Sequence, residues 1–139
     1  MNGLHLIADL YGCRCELALL KEQQLLQSLC VEACREAGLT VLGDYFFQFR
    51  YDSGEAAGVT GTVVLAESHL AIHTWPEDRN ITLDVYVCNY SRDNSALAKA
   101  VFDRLIDRFA PVEAVSHRVV RGHIELPKGG AGLIHYLDV

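Results

Sequence analysis

The stretch Gly58-Val-Thr-Gly-Thr-Val-Val-Leu-Ala-Glu-Ser-His-Leu-Ala-Ile-His-Thr-Trp-Pro-Glu77, with Ile81-Thr-Leu-Asp-Val-Tyr-Val-Cys88 close behind it, decides the fold. Thr60 to Glu67 is β-branched and apolar, and Leu70 to Trp75 repeats that composition up to Pro76, so two strands are predicted. In the second block Ile81, Leu83, Val85 and Val87 alternate with Thr82, Asp84, Tyr86 and Cys88, a period-two pattern that buries one face and places Cys88 with the polar set. Outward from there, Leu4 to Tyr11 reads as a first strand bounded by Gly12. Leu39 to Tyr51 is another, broken by Asp52-Ser-Gly-Glu55, and Val112 to Val120 is the last.

Two helices complete the pattern. From Leu17 to Ala37, Leu25, Leu26, Leu29, Cys30, Ala33, Cys34 and Ala37 recur at helical spacing, and Gly38 stops the run. Asp93 or Asn94 caps a second helix to Phe109, with Leu97, Val101, Leu105 and Ile106 inward and Pro111 beyond its end. Gly129 to Gly132 marks a turn near the C-terminus. The order β α β β β β α β predicts an α+β fold: a two-layer sandwich, largely antiparallel, with both helices on one face.

Composition bounds the function. The 139 residues are 50% hydrophobic with only three prolines and eleven glycines, which fits a single folded domain over residues 1–139. A net charge of -6 with scattered Lys and Arg argues against a duplex nucleic-acid partner, whose phosphates need clustered positive charge. No run approaches the ~18 apolar residues of a membrane span. Met1-Asn2-Gly3-Leu4-His5 lacks the basic and apolar regions of a secretory signal, so no membrane partner and a cytoplasmic location are expected. Cys13, Cys15, Cys30, Cys34 and Cys88 are odd in number and show no paired zinc-ligand spacing, which fits a reducing compartment and no metal.

The same thirty residues concentrate chemistry. Ser68, His69, His73, Glu67, Glu77 and Cys88 put a hydroxyl, two imidazoles, two carboxylates and a thiol into an otherwise apolar sheet, where polar groups need partners. Solvent-facing strand residues would account for the same pattern. His69 and His73 would share a metal only on a helix, and their β-branched context reads as strand. A Ser-His-acid hydrolase lacks its glycine-flanked elbow.

Taken together, His5-Leu-Ile-Ala-Asp-Leu-Tyr-Gly-Cys13, Gly58-Val-Thr-Gly61, Ala66-Glu-Ser-His69, Ile72-His-Thr-Trp-Pro-Glu77 and Asp84-Val-Tyr-Val-Cys88 resemble the short prokaryotic S-adenosylmethionine decarboxylase proenzymes. The resemblance runs in order over nearly the whole chain. It implies autocatalytic cleavage between Glu67 and Ser68, where the Ser68 hydroxyl attacks the Glu67 carbonyl carbon, giving a β chain of residues 1–67 and an α chain of residues 68–139. Ser68 then becomes a pyruvoyl cofactor that holds substrate as a Schiff base during decarboxylation, supplying an aminopropyl donor for spermidine and other polyamines.

By the same resemblance His73 transfers protons in processing, Thr60 supports it with a hydroxyl where the family usually has serine, and Cys88 protonates the substrate's α-carbon. Glu77 matches the glutamate that binds ribose hydroxyls, and Phe49 an aromatic residue stacking on adenine, although Phe46, Phe47 and Phe49 also suit a core. An unbroken strand would point Ser68 and His73 to opposite faces, so a turn or bulge is predicted at Ser68 to His69. A homodimer with its sites near the interface is implied, using the sheet's uncovered face.

Some positions depart from the family pattern. Asp78-Arg-Asn80 replaces an aromatic and glycine run, Asn89 stands where glycine commonly follows the cysteine, and Tyr51 to Ala57 reads as a longer loop. These bear on the substrate pocket, and they leave open a pyruvoyl-dependent arginine or ornithine decarboxylase, or an unprocessed partner subunit.

Overall fold

Alternation in the fifth strand sets the two sides of the sheet. Ile81, Leu83, Val85 and Val87 are fully buried under the helices, while Thr82, Asp84 and Tyr86 face the other way. A computed structural model describes residues 2–122, and the predicted turn at Gly129 to Gly132 lies outside them. The elements are β1 (Gly3–Tyr11), α1 (Ala18–Lys21), α2 (Gln23–Ala37), β2 (Val41–Arg50), β3 (Ala56–Leu65), β4 (Ser68–Trp75), β5 (Asn80–Cys88), α3 (Ser95–Phe109) and β6 (Glu113–Arg121). The sheet order is β2-β3-β4-β5-β1-β6 with every neighbour antiparallel.

The core lies between this sheet and the helices. Leu4, Leu6, Ala8 and Leu10 of β1, Val59 and Val63 of β3, and Leu70 and Ile72 of β4 meet Leu26, Cys30 and Cys34 of α2 and Val101, Leu105 and Phe109 of α3. The α+β two-layer reading therefore holds, with every described strand pair antiparallel. Gly58 and Gly61 are needed for close approach: a Cβ on Gly61 would enter the Phe46 ring, and one on Gly58 would strike the Thr74 carbonyl. Burial pushes the Cys13 and Cys34 thiols up to about 11, and all five cysteines are free.

Two expectations need correction. The helix predicted from Leu17 to Ala37 is two helices, because Glu22 takes an extended conformation (φ -100, ψ 113) between α1 and α2. Its cause is tertiary: the Gln23 N–H donates to Gln48 Oε1 at 3.0 Å, and Gln23 Nε2 donates to the Phe46 carbonyl at 2.7 Å. The hairpin turn sits at Ala66–Glu67, not at Ser68 to His69, since Leu65 pairs with Ser68 and the register runs unbroken to Thr60 opposite His73.

Three helices thus cover one face, and among the described residues nothing covers the other. That open face carries Phe47, Phe49, Thr60, His69, His73, Trp75, Asp84 and Tyr86. No described helix is long and apolar enough to cross a membrane.

Candidate active site

The predicted site residues fall into two groups at opposite ends of the β3–β4 hairpin. At the turn, Glu67 is held at φ 61, the left-handed region that a side chain with a Cβ seldom occupies. Glu67 is the second residue of the two-residue connection Ala66–Glu67 between β3 and β4. Ser68 follows directly, and its Oγ accepts the backbone N–H of Cys88 at 3.2 Å, linking β4 to the end of β5. Cys88 ends the alternating series but is itself buried at 6% exposure, so the thiol is shielded where the other polar-face residues are half open.

At the far end, Thr60 Oγ1 lies 3.1 Å from His73 Nδ1, across a directly opposed pair. A cleft of about 320 Å³ surrounds them, lined also by Phe49, Tyr51, Trp75 and Glu77. The His73 and Trp75 rings are 6.3 Å apart. Phe49 is 49% exposed and only Phe46, at 4%, is core, which separates the three phenylalanines that composition could not. The motifs assign no role to Tyr51 or Trp75. Trp75 lies in the quoted motif, at an open-face position in strand register, which is the signal that could have found it.

Five strand residues at ~3.3 Å each put His73 about 16 Å from Ser68 along β4; His73 faces the open side, while the Ser68 hydroxyl lies at the sheet's rim beside the Cys88 N–H. One chain therefore brings Glu67, Ser68 and Cys88 together, and separately Phe49, Thr60, His73 and Glu77, but does not join the groups. His69 and His73 share a face about 13 Å apart, too far to share a ligand. Among the described residues no three His, Cys, Asp or Glu side chains converge as a metal set. The larger cavity, about 470 Å³ between α3 and β6 with Leu4, Leu6 and Phe102 in its lining, carries none of these groups.

A third cluster lies on the open face next to the Ser68–Cys88 end, since His5 pairs with Tyr86 and Arg121 stands level with Cys88. Arg121 Nη1 donates to His5 Nδ1 at 3.4 Å and its guanidinium lies 4.8 Å from the Tyr86 ring centre. With Nδ1 accepting, the neutral imidazole carries its proton on Nε2, which is buried and lies 3.7 Å from Asp84 Oδ2, beyond hydrogen-bond length. Burial is the main influence on His5 and lowers its pKa; Asp84 opposes this, while Arg121 and His69 add to it.

A family model described as S-adenosylmethionine decarboxylase matches residues 4–122 of the chain. The chain belongs to the S-adenosylmethionine decarboxylase family. Among its relatives, the S-adenosylmethionine decarboxylase proenzyme of Hydrogenobaculum sp. (strain Y04AAS1) is 36% identical over 91% of this chain and 87% of that protein. The proenzyme of the same description from Archaeoglobus fulgidus is 38% identical over 85% of this chain and 95% of its own. The crystal structure of the adenosylmethionine decarboxylase from Aquifex aeolicus VF5 superposes with a TM-score of 0.76 at 31% identity, covering 92% of this chain and 97% of that one. For a member of the S-adenosylmethionine decarboxylase family, the separation of Ser68 and Cys88 from Thr60 and His73 is the geometric fact that needs a functional account.

Proposed function

We propose that this protein is a self-processing S-adenosylmethionine decarboxylase whose sites are completed between two copies. The observation that carries the reading is Glu67 held at φ 61 immediately before a serine whose hydroxyl is tethered to Cys88. Ser68 Oγ attacks the Glu67 carbonyl carbon, the peptide nitrogen leaves, and the acyl group moves to oxygen as an ester. Loss of that ester by β-elimination, with hydrolysis of the resulting terminus, leaves residues 1–67 and 68–139 as separate chains. The backbone strain at Glu67 is relieved as the peptide bond breaks.

The residues around Ser68 fit a pyruvoyl group formed there, because the position is half-buried and a shielded thiol is its neighbour. When present, the pyruvoyl group holds the substrate amine and takes up the electron pair released with carbon dioxide. Cys88 supplies the proton to the substrate's α-carbon, and its burial keeps water from competing for that position. The cleft at the other end supplies recognition: Glu77 offers two acceptor oxygens to the ribose hydroxyls, and the exposed face of Phe49 suits adenine and a nearby sulfonium.

The ~16 Å between His73 and Ser68 within one chain supports a reading in which the pair comes from a second copy. Two open faces packed against each other in antiparallel fashion bring the Thr60–His73 end of one copy to the Ser68–Cys88 end of the other. His73, steered by Thr60, then moves the protons of processing. The decarboxylated product is an aminopropyl donor for spermidine synthesis, and five free thiols fit work in the cytoplasm.

Intact mass spectrometry decides the reading. Two fragments joining at Glu67/Ser68 are expected, and Ser68→Ala is expected to stay whole; an uncleaved wild-type chain overturns it. Carbon dioxide release should favour S-adenosylmethionine over arginine and ornithine, and a preference for either amino acid overturns the substrate.

A further inference from the structure

The end of β5 is pinned more fully than a strand terminus requires. The Cys88 N–H donates to Ser68 Oγ, and its carbonyl accepts from Asn94 Nδ2 at 3.1 Å. Asn89 N–H donates to the Asn2 carbonyl at 2.7 Å, Asn89 Oδ1 accepts the Asn94 N–H at 2.8 Å, and Asn89 Nδ2 donates to Ser95 Oγ at 3.0 Å. Arg92 Nε donates to Asn94 Oδ1 at 2.8 Å, so both polar ends of that side-chain amide are occupied.

Asn94 is the residue from which α3 starts, yet its side chain makes no bond to its own helix; Asp93 Oδ1 accepts the Ser95 N–H instead. The amide that would ordinarily serve as a cap is buried at 7% exposure and turned back toward Cys88. Asn89 closes the ring from the position where the family commonly has glycine, which has no side chain to do so.

We propose that Asn94, locked by Asn89, is a positioning residue that fixes the direction of the Cys88 side chain at the reaction centre. The proposal rests on the reading of Cys88 as proton donor. Processing consumes the Ser68 hydroxyl, so in the mature enzyme the end of β5 is held by Asn94 on the Cys88 carbonyl and by the Asn2 carbonyl on the next N–H, which fixes that peptide and leaves χ1 to place the thiol. Proton transfer to carbon depends on that placement, because small displacements of a reacting group cost rate rather than affinity.

Four substitutions test it. Asn94→Asp keeps the shape and the Arg92 partner but sets a carboxylate oxygen against the Cys88 carbonyl, and Asn94→Ala removes the amide. Asn89→Gly opens the ring, while Asn89→Asp keeps the acceptor for the Asn94 N–H. Cleavage is expected to go to completion in all four. The first three are expected to lose about tenfold in kcat with KM unchanged, and to exchange the Asn89 amide, which belongs to the peptide Asn94 holds, about tenfold faster, the scale of one lost hydrogen bond. Asn89→Asp should stay near wild type, and the Leu83 amide in mid-β5 should keep its protection.

Wild-type kcat and amide protection in Asn94→Asp and Asn94→Ala overturn the assignment. So does a loss confined to KM, or a loss of protection throughout β5, which marks a folding role alone. A wild-type chain that neither cleaves nor releases carbon dioxide removes the functional reading, and amide exchange on the uncleaved protein still decides whether Asn94 holds Cys88.

Discussion

Glu67 holds an unfavourable backbone angle (φ 61) at the bond whose cleavage is proposed. A glycine there adopts φ 61 without penalty, so Glu67→Gly is expected to stabilise the uncleaved chain by ~1 kcal/mol and to slow its cleavage by up to about tenfold. A time course of intact masses and a melting curve of the uncleaved protein read both effects. His5 gives a second residue-scale expectation. Its pKa is lowered from 6.5 in the folded chain, mainly by burial, so the unfolded chain takes up the proton first as pH falls. The stability it contributes is complete above pH 6.5 and is lost as pH drops through that value towards the folded pKa. Melting temperature should fall over that interval, and His5→Gln should flatten the slope.

The hairpin of β3 and β4 is tied to the helical layer by one buried hydroxyl. Thr74 Oγ1 donates to the Leu20 carbonyl at 2.7 Å, at the end of α1, and accepts the Val59 N–H at 2.9 Å. Thr74→Val keeps the volume but strands both backbone groups, and should cost about 2 kcal/mol in chemical denaturation. The same contacts explain which elements could be read in advance. Ile81 to Cys88 declared its two faces because strand parity is local, and Gly38 ended α2 because a helix terminus has a local chemistry. Glu22 was invisible because it favours helix on its own; only Gln48 and the Phe46 carbonyl, over twenty residues away, pull Gln23 into starting a new one. For the site, residue identities were legible from the motifs, but the split between the Ser68 and His73 ends depends on the position of the hairpin turn. Once the turn is assigned to Ala66–Glu67, continuous register keeps the two ends apart.

At the scale of the whole molecule the open face is the organising feature. Aromatic and imidazole side chains are spread across it without a covering layer among the described residues, and each copy holds half of the proposed chemistry. Mixing copies should therefore rescue function: Ser68→Ala and His73→Ala chains are each expected to stay uncleaved alone. Co-expression should yield fragments from the His73→Ala chain only, because its intact Ser68 meets the other chain's His73. Fragments from neither chain would leave His73 acting within its own copy. The proposed break after Glu67 would also change the connectivity of the sheet. The order β2-β3-β4-β5-β1-β6 leaves β1 of the first fragment between β5 and β6 of the second, so the fragments are interlaced rather than side by side. They cannot separate without parting two strand ladders at once as well as the β3–β4 pair. Folding is then a unimolecular event that happens before the cut, and any later unfolding turns recovery into a bimolecular search. Heated and cooled Ser68→Ala chain should regain its strand structure at any dilution, whereas the mature protein should recover less as it is diluted. The proposed cut would thus act as a ratchet, making each molecule's native state one that it reaches only once.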